Sequence, residues 1–365
     1  MILLAHSFKK HLDLIIFFIT SSFFIFLLIP YGFNPTDDGL FLSAGKRILI
    51  GQIPHIDFIS VRPPGSAILY SVFIKYFPNY LFLSTRIFTG IQLAVICIVW
   101  LKITFKTLVI EISKINKILI LSISFLLTLH SFPLMAHATI DGIFFSTIGL
   151  YFIFSENYKK KYFGYFLFGC SYLFKQSFLF QPFLILLCLK DWKDIKNIIS
   201  LLIPGSLYVL FMLIIGGIDN VIIQMKSPHN ILMIFNRTYD YFIDKNVLFG
   251  FFLMLFLKIF NVINTIFKSN NVTERKELFL FNFGILIFYL IYISNFHQLA
   301  SFLFGCNVSL LIYNIYHKGY ERSSHSILFV LFFAWSVSLS RGYAYPTLVC
   351  GPLFLTVFVY NYKLA

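Results

Sequence analysis

"NPTDDGLFLSAGKRILIGQIPHIDFISVRPPG" occupies Asn34 to Gly65 and is the longest stretch in the first third of the chain that does not resemble a membrane span. It lies between an apolar block near 12–32 and another at 87–105. Apolar blocks of about 18 residues or more are typical of transmembrane helices. We therefore expect this stretch to be a loop at a membrane surface, where it would present two adjacent acids, Asp37 and Asp38.

The composition extends this expectation to the whole chain. Its 365 residues are 59% hydrophobic and 12% charged, whereas soluble domains carry about 25% charged residues. Lipid cannot hydrogen-bond an open backbone, so spanning segments are helices or closed barrels, and the alternating pattern of barrel strands is absent from this sequence. The sequence predicts an all-α fold, a polytopic transmembrane helical bundle. It has about 12 spans, placed near 12–32, 87–105, 115–134, 142–156, 162–174, 177–190, 197–216, 246–267, 278–294, 298–316, 326–340 and 345–361.

The distribution of charge predicts the topology. With the N-terminal lysines inside, most of the 29 basic residues fall in inner segments, as the positive-inside rule requires. Topology then explains the net charge of +14, and no nucleic-acid partner is expected. We predict a single membrane domain, 1–365, with cytoplasmic termini, outer loops at 33–86 and 217–245, and no soluble C-terminal domain.

The first outer loop is predicted to contain two juxtamembrane helices. Residues 36–50 place apolar side chains at helical spacing, with Thr36 as the N-cap and Gly51 as the stop. This pattern is amphipathic and favours a helix that lies on the membrane surface. A second apolar segment begins at Pro63-Pro64-Gly65, and a turn that carries His55 joins the two.

The acids of this loop allow two interpretations each. Asp37 and Asp38 fall in the first turn of the predicted helix, where they would cap it and complement its dipole. Alternatively, one of them is an ionised general base that accepts a proton from an attacking hydroxyl. Adjacent residues lie about 100° apart on a helix, so only one is expected to face the reaction. Asp57 is either a turn residue or part of the same site.

These residues resemble the GT-C superfamily of membrane glycosyltransferases, and more narrowly the dolichyl-phosphate-mannose protein mannosyltransferase and aminoarabinose transferase group. Those enzymes carry an acidic pair in the first outer loop, then a Gly-x-x-Pro-aromatic-x-Asp-Phe stretch, then Pro-Pro. The residues that match are Gly51, Pro54, Asp57, Phe58, Pro63 and Pro64, while His55 replaces the usual aromatic residue. The resemblance covers about 33–105 and continues through "HATIDG" and "GCSYLFKQS". It implies that a sugar moves from a polyprenyl-phosphate donor to an outer-face acceptor, and by motif position it favours Asp37 as the base.

Further candidate residues come from membrane-depth charges and from the same resemblance. Asp141 is a costly charge that invites a functional hypothesis; the resemblance makes it a second acid, and an N-cap is the alternative. Lys175 would face the lipid-linked phosphate or, alternatively, snorkel to the interface. His297 opens a span where related enzymes carry polar residues near the donor. The other outer-face cations are Arg62, Arg86 and Arg341, which suit bidentate phosphate contacts, with Arg86 favoured by motif.

The predicted function is an integral-membrane glycosyltransferase of a bacterial inner membrane, with its active site on the periplasmic face. The expected partners are a polyprenyl-phosphate sugar donor, a glycan or lipid-linked acceptor such as lipopolysaccharide, and membrane lipid. No Walker loop, dinucleotide fingerprint or metal-ligand spacing occurs in the sequence, so no cofactor or metal site is predicted, although the need for a divalent metal is left open. The alternatives are a repeat-unit polysaccharide polymerase and a lipid-glycan flippase.

Overall fold

The computed structural model describes residues 12–30, 37–110, 112–131, 134–226, 238–267, 296–339 and 346–364. Within these ranges the backbone is helical apart from turns and short connections, and its only β pairing is an isolated bridge between Pro54 and Phe58. The prediction of an all-α fold is therefore confirmed for the described part of the chain.

The helices follow one another along the chain with short links, several of which contain a turn of 3₁₀ helix. In chain order they are α1 (Leu12–Leu28), α2 (Asp37–Leu49), α3 (Gly65–Tyr76), α4 (Leu81–Leu108), α5 (Lys114–Ser131), α6 (Ala138–Ile153), α7 (Tyr158–Ser171), α8 (Phe180–Cys188), α9 (Ile195–Ile214), α10 (Ile218–Lys226), α11 (Lys245–Phe267), α12 (Phe296–Lys318), α13 (Arg322–Ser338) and α14 (Cys350–Leu364).

Three segments in the described ranges are long and apolar enough to cross a membrane: Pro78–Leu108, Ile195–Ile214 and Gln298–Lys318. Four shorter apolar helices accompany them, at Leu12–Leu28, Ala138–Ile153, Gln176–Cys188 and Thr347–Tyr362. The count of twelve spans is not supported. The spans predicted at 162–174 and 177–190 show why: they form helices of 14 and 9 residues, whereas about 20 residues are needed to cross the hydrocarbon core. The predicted span at 278–294 lies outside the described residues.

The contacts group the chain into two compact units. The first unit comprises Met1–Val99 and Phe132–Phe235, and the second comprises Trp100–Ser131 and Asn236–Ala365. The acidic pair and most of the candidate residues belong to the first unit.

Close helix packing in the first unit depends on glycine. A Cβ atom on Gly45 of α2 would lie 3.0 Å from the carbonyl oxygen of Ala67 on α3. A Cβ atom on Gly149 of α6 would lie 2.8 Å from the carbonyl oxygen of Gly164 on α7. Small residues allow helix backbones to approach this closely, and the α2–α3 contact sets the position of the acidic pair.

The second unit buries polar side chains between its helices. The side chain of Asn307 on α12 donates to the carbonyl oxygen of Leu353 on α14 at 3.0 Å and accepts from the Thr356 hydroxyl at 2.6 Å. Lys258 is buried in α11, and its Nζ donates to Oδ1 of Asn361 at 2.5 Å. These contacts satisfy buried polar groups that would otherwise destabilise an apolar bundle.

Candidate active site

The two adjacent aspartates have different surroundings. Asp38 is fully buried. Its Oδ1 accepts a hydrogen bond of 2.8 Å from the backbone N–H of Ala136, and its Oδ2 lies 3.9 Å from Nη2 of Arg86. Asp37 is half-buried at the start of α2. The structure therefore places Asp38 in contacts that orient the chain and leaves Asp37 more accessible, while the predicted cap, Thr36, lies outside the described residues.

Arg86 serves as a tie between elements of the first unit. The residue is 7% exposed. Its guanidinium donates to the carbonyl oxygen of Ile29, just after the end of α1, and pairs with Asp38 on α2. These contacts fix α1 and α2 to α4. They also occupy the guanidinium for which we predicted a phosphate contact from the sequence.

Two other cations, Lys175 and Arg62, lie within electrostatic range of Asp37. Lys175 is 5% exposed, and its Nζ donates to the Thr139 hydroxyl at 3.0 Å. The pKa of Lys175 is lowered to about 7, first by burial and then by the Arg62 charge, while Asp37 acts in the opposite direction. Burial also lowers the pKa of Arg62, and Asp37 raises it. Lys175 does not snorkel towards an interface, which was the alternative interpretation, because its amine is buried and bonds Thr139.

Arg62 has a buried hydrogen-bond donor without a partner among the described residues. Its guanidinium carbon lies 5.2 Å from the centre of the Phe41 ring, a cation–π distance. Its Nη1 is buried and has no hydrogen-bond partner among the described residues. A buried donor in this condition is costly unless something binds it, so Nη1 is suited to an anionic ligand. We refer to Asp37, Arg62 and Lys175 as the charged cluster.

A three-residue strap, 135–137, crosses the site between α5 and α6. The Thr89 hydroxyl on α4 donates to the carbonyl oxygen of Met135 at 3.1 Å, and the Tyr70 hydroxyl on α3 accepts from the N–H of His137 at 3.3 Å. With the bond from Ala136 to Asp38, three different helices hold the strap. The strap therefore fixes the backbone that leads into α6.

Asp141 is the centre of a buried network in the first turn of α6. Its Oδ2 accepts from the Ser66 hydroxyl at 2.6 Å, and its Oδ1 accepts from Nε2 of Gln92 at 2.9 Å and from the Tyr70 hydroxyl at 3.2 Å. The carboxyl group is fully buried. It links α6 to α3 and α4. No sequence pattern predicted its three partners, because they lie on distant helices.

His137 is buried and caps α6. Its Nδ1 accepts from the backbone N–H of Thr139 at 3.3 Å. The pKa of His137 is lowered well below 6.5, first by burial and then by the charges of Lys175 and Arg62. The imidazole therefore lies within electrostatic reach of both cations of the charged cluster.

Asp57 organises the turn between α2 and α3. Its Oδ2 accepts from the N–H of Ile53 at 2.6 Å, and the side chain is exposed. The neighbouring His55 is buried with a φ of 70°, and its Nδ1 lies 3.1 Å from Oε1 of Gln224 on α10. The same Oε1 accepts from the N–H of Ser60 at 2.8 Å. Gln224 thus holds both sides of the turn.

An apolar cleft of about 700 Å³ lies beside the charged cluster in the first unit. Its lining includes Pro63, which follows Arg62, and Leu173 and Gln176, which flank Lys175. Side chains of α9 and α10, such as Val209 and Val221, form much of the remaining wall. A cationic end and a hydrocarbon-lined body together suit an amphipathic anion.

Two predicted site residues do not belong to the described part of the first unit. His297 lies in the first turn of α12, within the second unit. Arg341 lies outside the described residues. In the described part of the chain, no three His, Cys, Asp or Glu side chains are grouped to hold a metal ion.

Comparison with known proteins assigns no relative to the chain. No family model matches it, and no similar curated protein or solved structure was found. The function is therefore inferred from the geometry of the site itself.

Proposed function

We propose that the protein is an integral-membrane glycosyltransferase that moves a sugar from a polyprenyl-phosphate donor to a hydroxyl on a surface glycan or lipid-linked glycan. The observation that carries the proposal is the position of the charged cluster next to the apolar cleft. In this proposal the donor phosphate binds Arg62 and Lys175, and the isoprenoid chain lies in the cleft. In this proposal the chain crosses a bacterial inner membrane several times, with the cluster on the periplasmic side.

The residues of the cluster supply the chemistry of a direct displacement. Asp37 accepts the proton of the acceptor hydroxyl while the hydroxyl oxygen attacks the anomeric carbon. The bond from that carbon to the phosphate oxygen breaks, and the electron pair leaves with the polyprenyl phosphate. Arg62 and Lys175 stabilise the negative charge that develops on the phosphate, which is most effective in a buried site with fixed donors.

Asp38 and Arg86 have supporting roles in this mechanism. They hold the first turn of α2 against the strap, so that Asp37 keeps its position beside the two cations. Arg62 takes the phosphate-binding role that the sequence assigned to Arg86, because Nη1 of Arg62 is a buried donor without a partner among the described residues.

The test is a transfer assay with purified protein in proteoliposomes. A panel of polyprenyl-phosphate sugars is supplied with a lipid-linked glycan extract, and the products are identified by mass spectrometry. The wild type should transfer one sugar, and Arg62→Ala and Lys175→Ala should lose about 10²-fold or more in rate, as when a fixed charge-stabilising donor is removed. The matched control is Lys75→Ala, an exposed lysine on α3, which should be active.

Other outcomes identify the competing functions. A product with many added repeat units from a diphosphate-linked donor would indicate a polysaccharide polymerase. Movement of the lipid donor across the bilayer without sugar transfer would indicate a flippase. Full activity in both cluster variants would contradict the proposed site.

A further inference from the structure

We propose that His137 is a further binding residue of this site, a neutral hydrogen-bond donor whose Nε2–H binds the phosphate of the donor lipid. The inference rests on the proposed function, because it assigns a role within the same site. It goes beyond that function by adding a third phosphate-binding group that differs in kind from Arg62 and Lys175.

The helix cap determines which ring nitrogen carries the proton. Nδ1 of His137 accepts the Thr139 N–H at 3.3 Å, and an accepting ring nitrogen carries no hydrogen. A neutral imidazole has one N–H, which must therefore be on Nε2. The first turn of α6 thus selects the tautomer that can donate through Nε2.

Burial, and after it the neighbouring charges, keep the ring neutral. The residue is 8% exposed, and burial followed by the Lys175 and Arg62 charges lowers the pKa of its imidazole. Two acids belong to the same surroundings. Asp37 is the acid of the charged cluster, and Asp141, in the first turn of α6, accepts hydrogen bonds from Ser66, Tyr70 and Gln92. A neutral donor adds a hydrogen bond to a phosphate without adding a third positive charge to the empty site.

Two features hold the imidazole in place before any ligand binds. The strap fixes its backbone through Tyr70. The Phe41 ring meets the imidazole edge-on at 6.3 Å between centroids, and the same ring carries the Arg62 guanidinium at 5.2 Å. Phe41 therefore contacts both donors, His137 and Arg62, and helps to hold them in place. Such preorganisation reduces the entropic cost of binding a phosphate.

The deciding variant is His137→Asn. Asparagine is a good N-cap, and its Oδ1 can accept the Thr139 N–H as Nδ1 does, but it has no counterpart of Nε2–H. Binding of farnesyl phosphate is measured in phosphatidylcholine nanodiscs, with His317→Asn, an exposed histidine of the second unit, as the control. We expect about 10- to 100-fold weaker binding for His137→Asn, as for a lost hydrogen bond to a charged group, with an unchanged melting temperature and wild-type binding in the control.

The outcomes separate this inference from the proposed function. Wild-type farnesyl phosphate affinity in His137→Asn would overturn the inference and reduce His137 to a cap, whether or not the wild type transfers sugar. Weakened binding in the variant, together with no sugar transfer by the wild type, would keep the phosphate site and reject the glycosyltransferase. Nitrogen-15 spectra of histidine-labelled protein give a second test: a protonated Nδ1 on His137 at pH 7 would contradict the assignment.

Discussion

At the scale of single residues, two neighbouring aspartates differ because a helix turns about 100° for each residue. That turn directs Asp38 into the protein, where the Ala136 N–H and Arg86 engage it, and leaves Asp37 half-buried beside the cations. The sequence predicted that the two acids would differ. It could not say which would be buried, because both partners of Asp38 lie at least 48 positions away along the chain.

The acid pair gives the first prediction. Asp37→Asn removes the proposed base and should lower the transfer rate by about 10² to 10⁴, without loss of expression. Asp38→Asn keeps an oxygen for the Ala136 N–H but removes the charge that faces Arg86, so it should retain substantial activity with a lower melting temperature. The measurements are single-turnover transfer and thermal unfolding in detergent. Near wild-type rates in both variants would mean that the pair is structural.

The pH dependence of donor use gives the second prediction, at Lys175. With a pKa of about 7 in the free protein, the amine is charged below that pH and neutral above it. The value of kcat/KM for the donor, which reports the free enzyme, should therefore fall as the pH rises through about 7. Bound phosphate favours the ammonium, so kcat should fall only at higher pH.

Lys175→Arg is the control for that profile. Arginine stays protonated throughout the accessible pH range, so the fall in kcat/KM near neutral pH should disappear from the variant even if its maximal rate is reduced. The same fall in Lys175→Arg would assign it to another group.

At the scale of elements, the boundaries of α2 followed from the sequence but its buried face did not. A helix predicted over 36–50 is observed at Asp37–Leu49, and Gly51 ends it with a φ of 88°. The apolar pattern suggested Leu40, Phe41, Ala44, Ile48 and Leu49 as the apolar face. Of these, Phe41 is buried against the protein, and the other buried residues of the helix are Asp38, Leu42 and Gly45. Asp38 and Gly45 lie on the buried face because the strap and α3 pack there. Tertiary contacts of this kind produce no pattern in the local sequence.

The buried network around Asp141 shows the same limit. Its charge made Asp141 visible in the sequence, but its donors Ser66, Tyr70 and Gln92 lie 75, 71 and 49 positions away. Serine, tyrosine and glutamine are ordinary residues in any helix, and only the packing of α3 and α4 against α6 brings them to one carboxyl group. The cap formed by His137 was not predicted for the same reason, because the cap and the neighbours of this residue are set by the fold.

The α2–α3 contact gives a third prediction, at two glycines of one helix. An alanine in a helix interior is favoured over glycine by about 1 kcal/mol, and this gain is common to Gly39→Ala and Gly45→Ala. A Cβ atom at 39 meets nothing within 4 Å, whereas one at 45 lies 3.0 Å from backbone atoms of both Ala67 and Ser71. We expect Gly39→Ala to keep or raise the melting temperature, and Gly45→Ala to lower both the melting temperature and the transfer rate.

The comparison of the two variants is informative because it removes helix propensity as an explanation. An equal rise in melting temperature for both substitutions would show that α3 can retreat from α2 without cost. In that case the position of the acidic pair would not depend on this packing.

At the scale of the whole molecule, composition predicted a helical membrane protein, but the apolar blocks did not each form a full span. Block length in a sequence does not show where a helix breaks. α7 ends at Ser171 and α8 begins at Phe180, and in the link between them Lys175 is extended, with its amine buried against Thr139. One apolar region therefore yields two short helices. The break that shortens these helices is also the feature that brings a lysine to the charged cluster.

Topology gives the last prediction, because the proposed donor can be used only if the charged cluster faces the periplasm. Ile59, in the turn between α2 and α3, is 80% exposed, and Lys159, at the start of α7, is also exposed. In a variant without its five native cysteines, Ile59→Cys should react with an impermeant maleimide added to intact spheroplasts. Lys159→Cys should react only after lysis, because the lysines of that loop are predicted to be cytoplasmic by the positive-inside rule. Labelling of both positions from the same side would remove the basis for an outer-face reaction. Labelling of Ile59→Cys only after lysis would place Arg62, three residues further along the same short turn, on the cytoplasmic side, where a periplasmic lipid-linked sugar could not reach it.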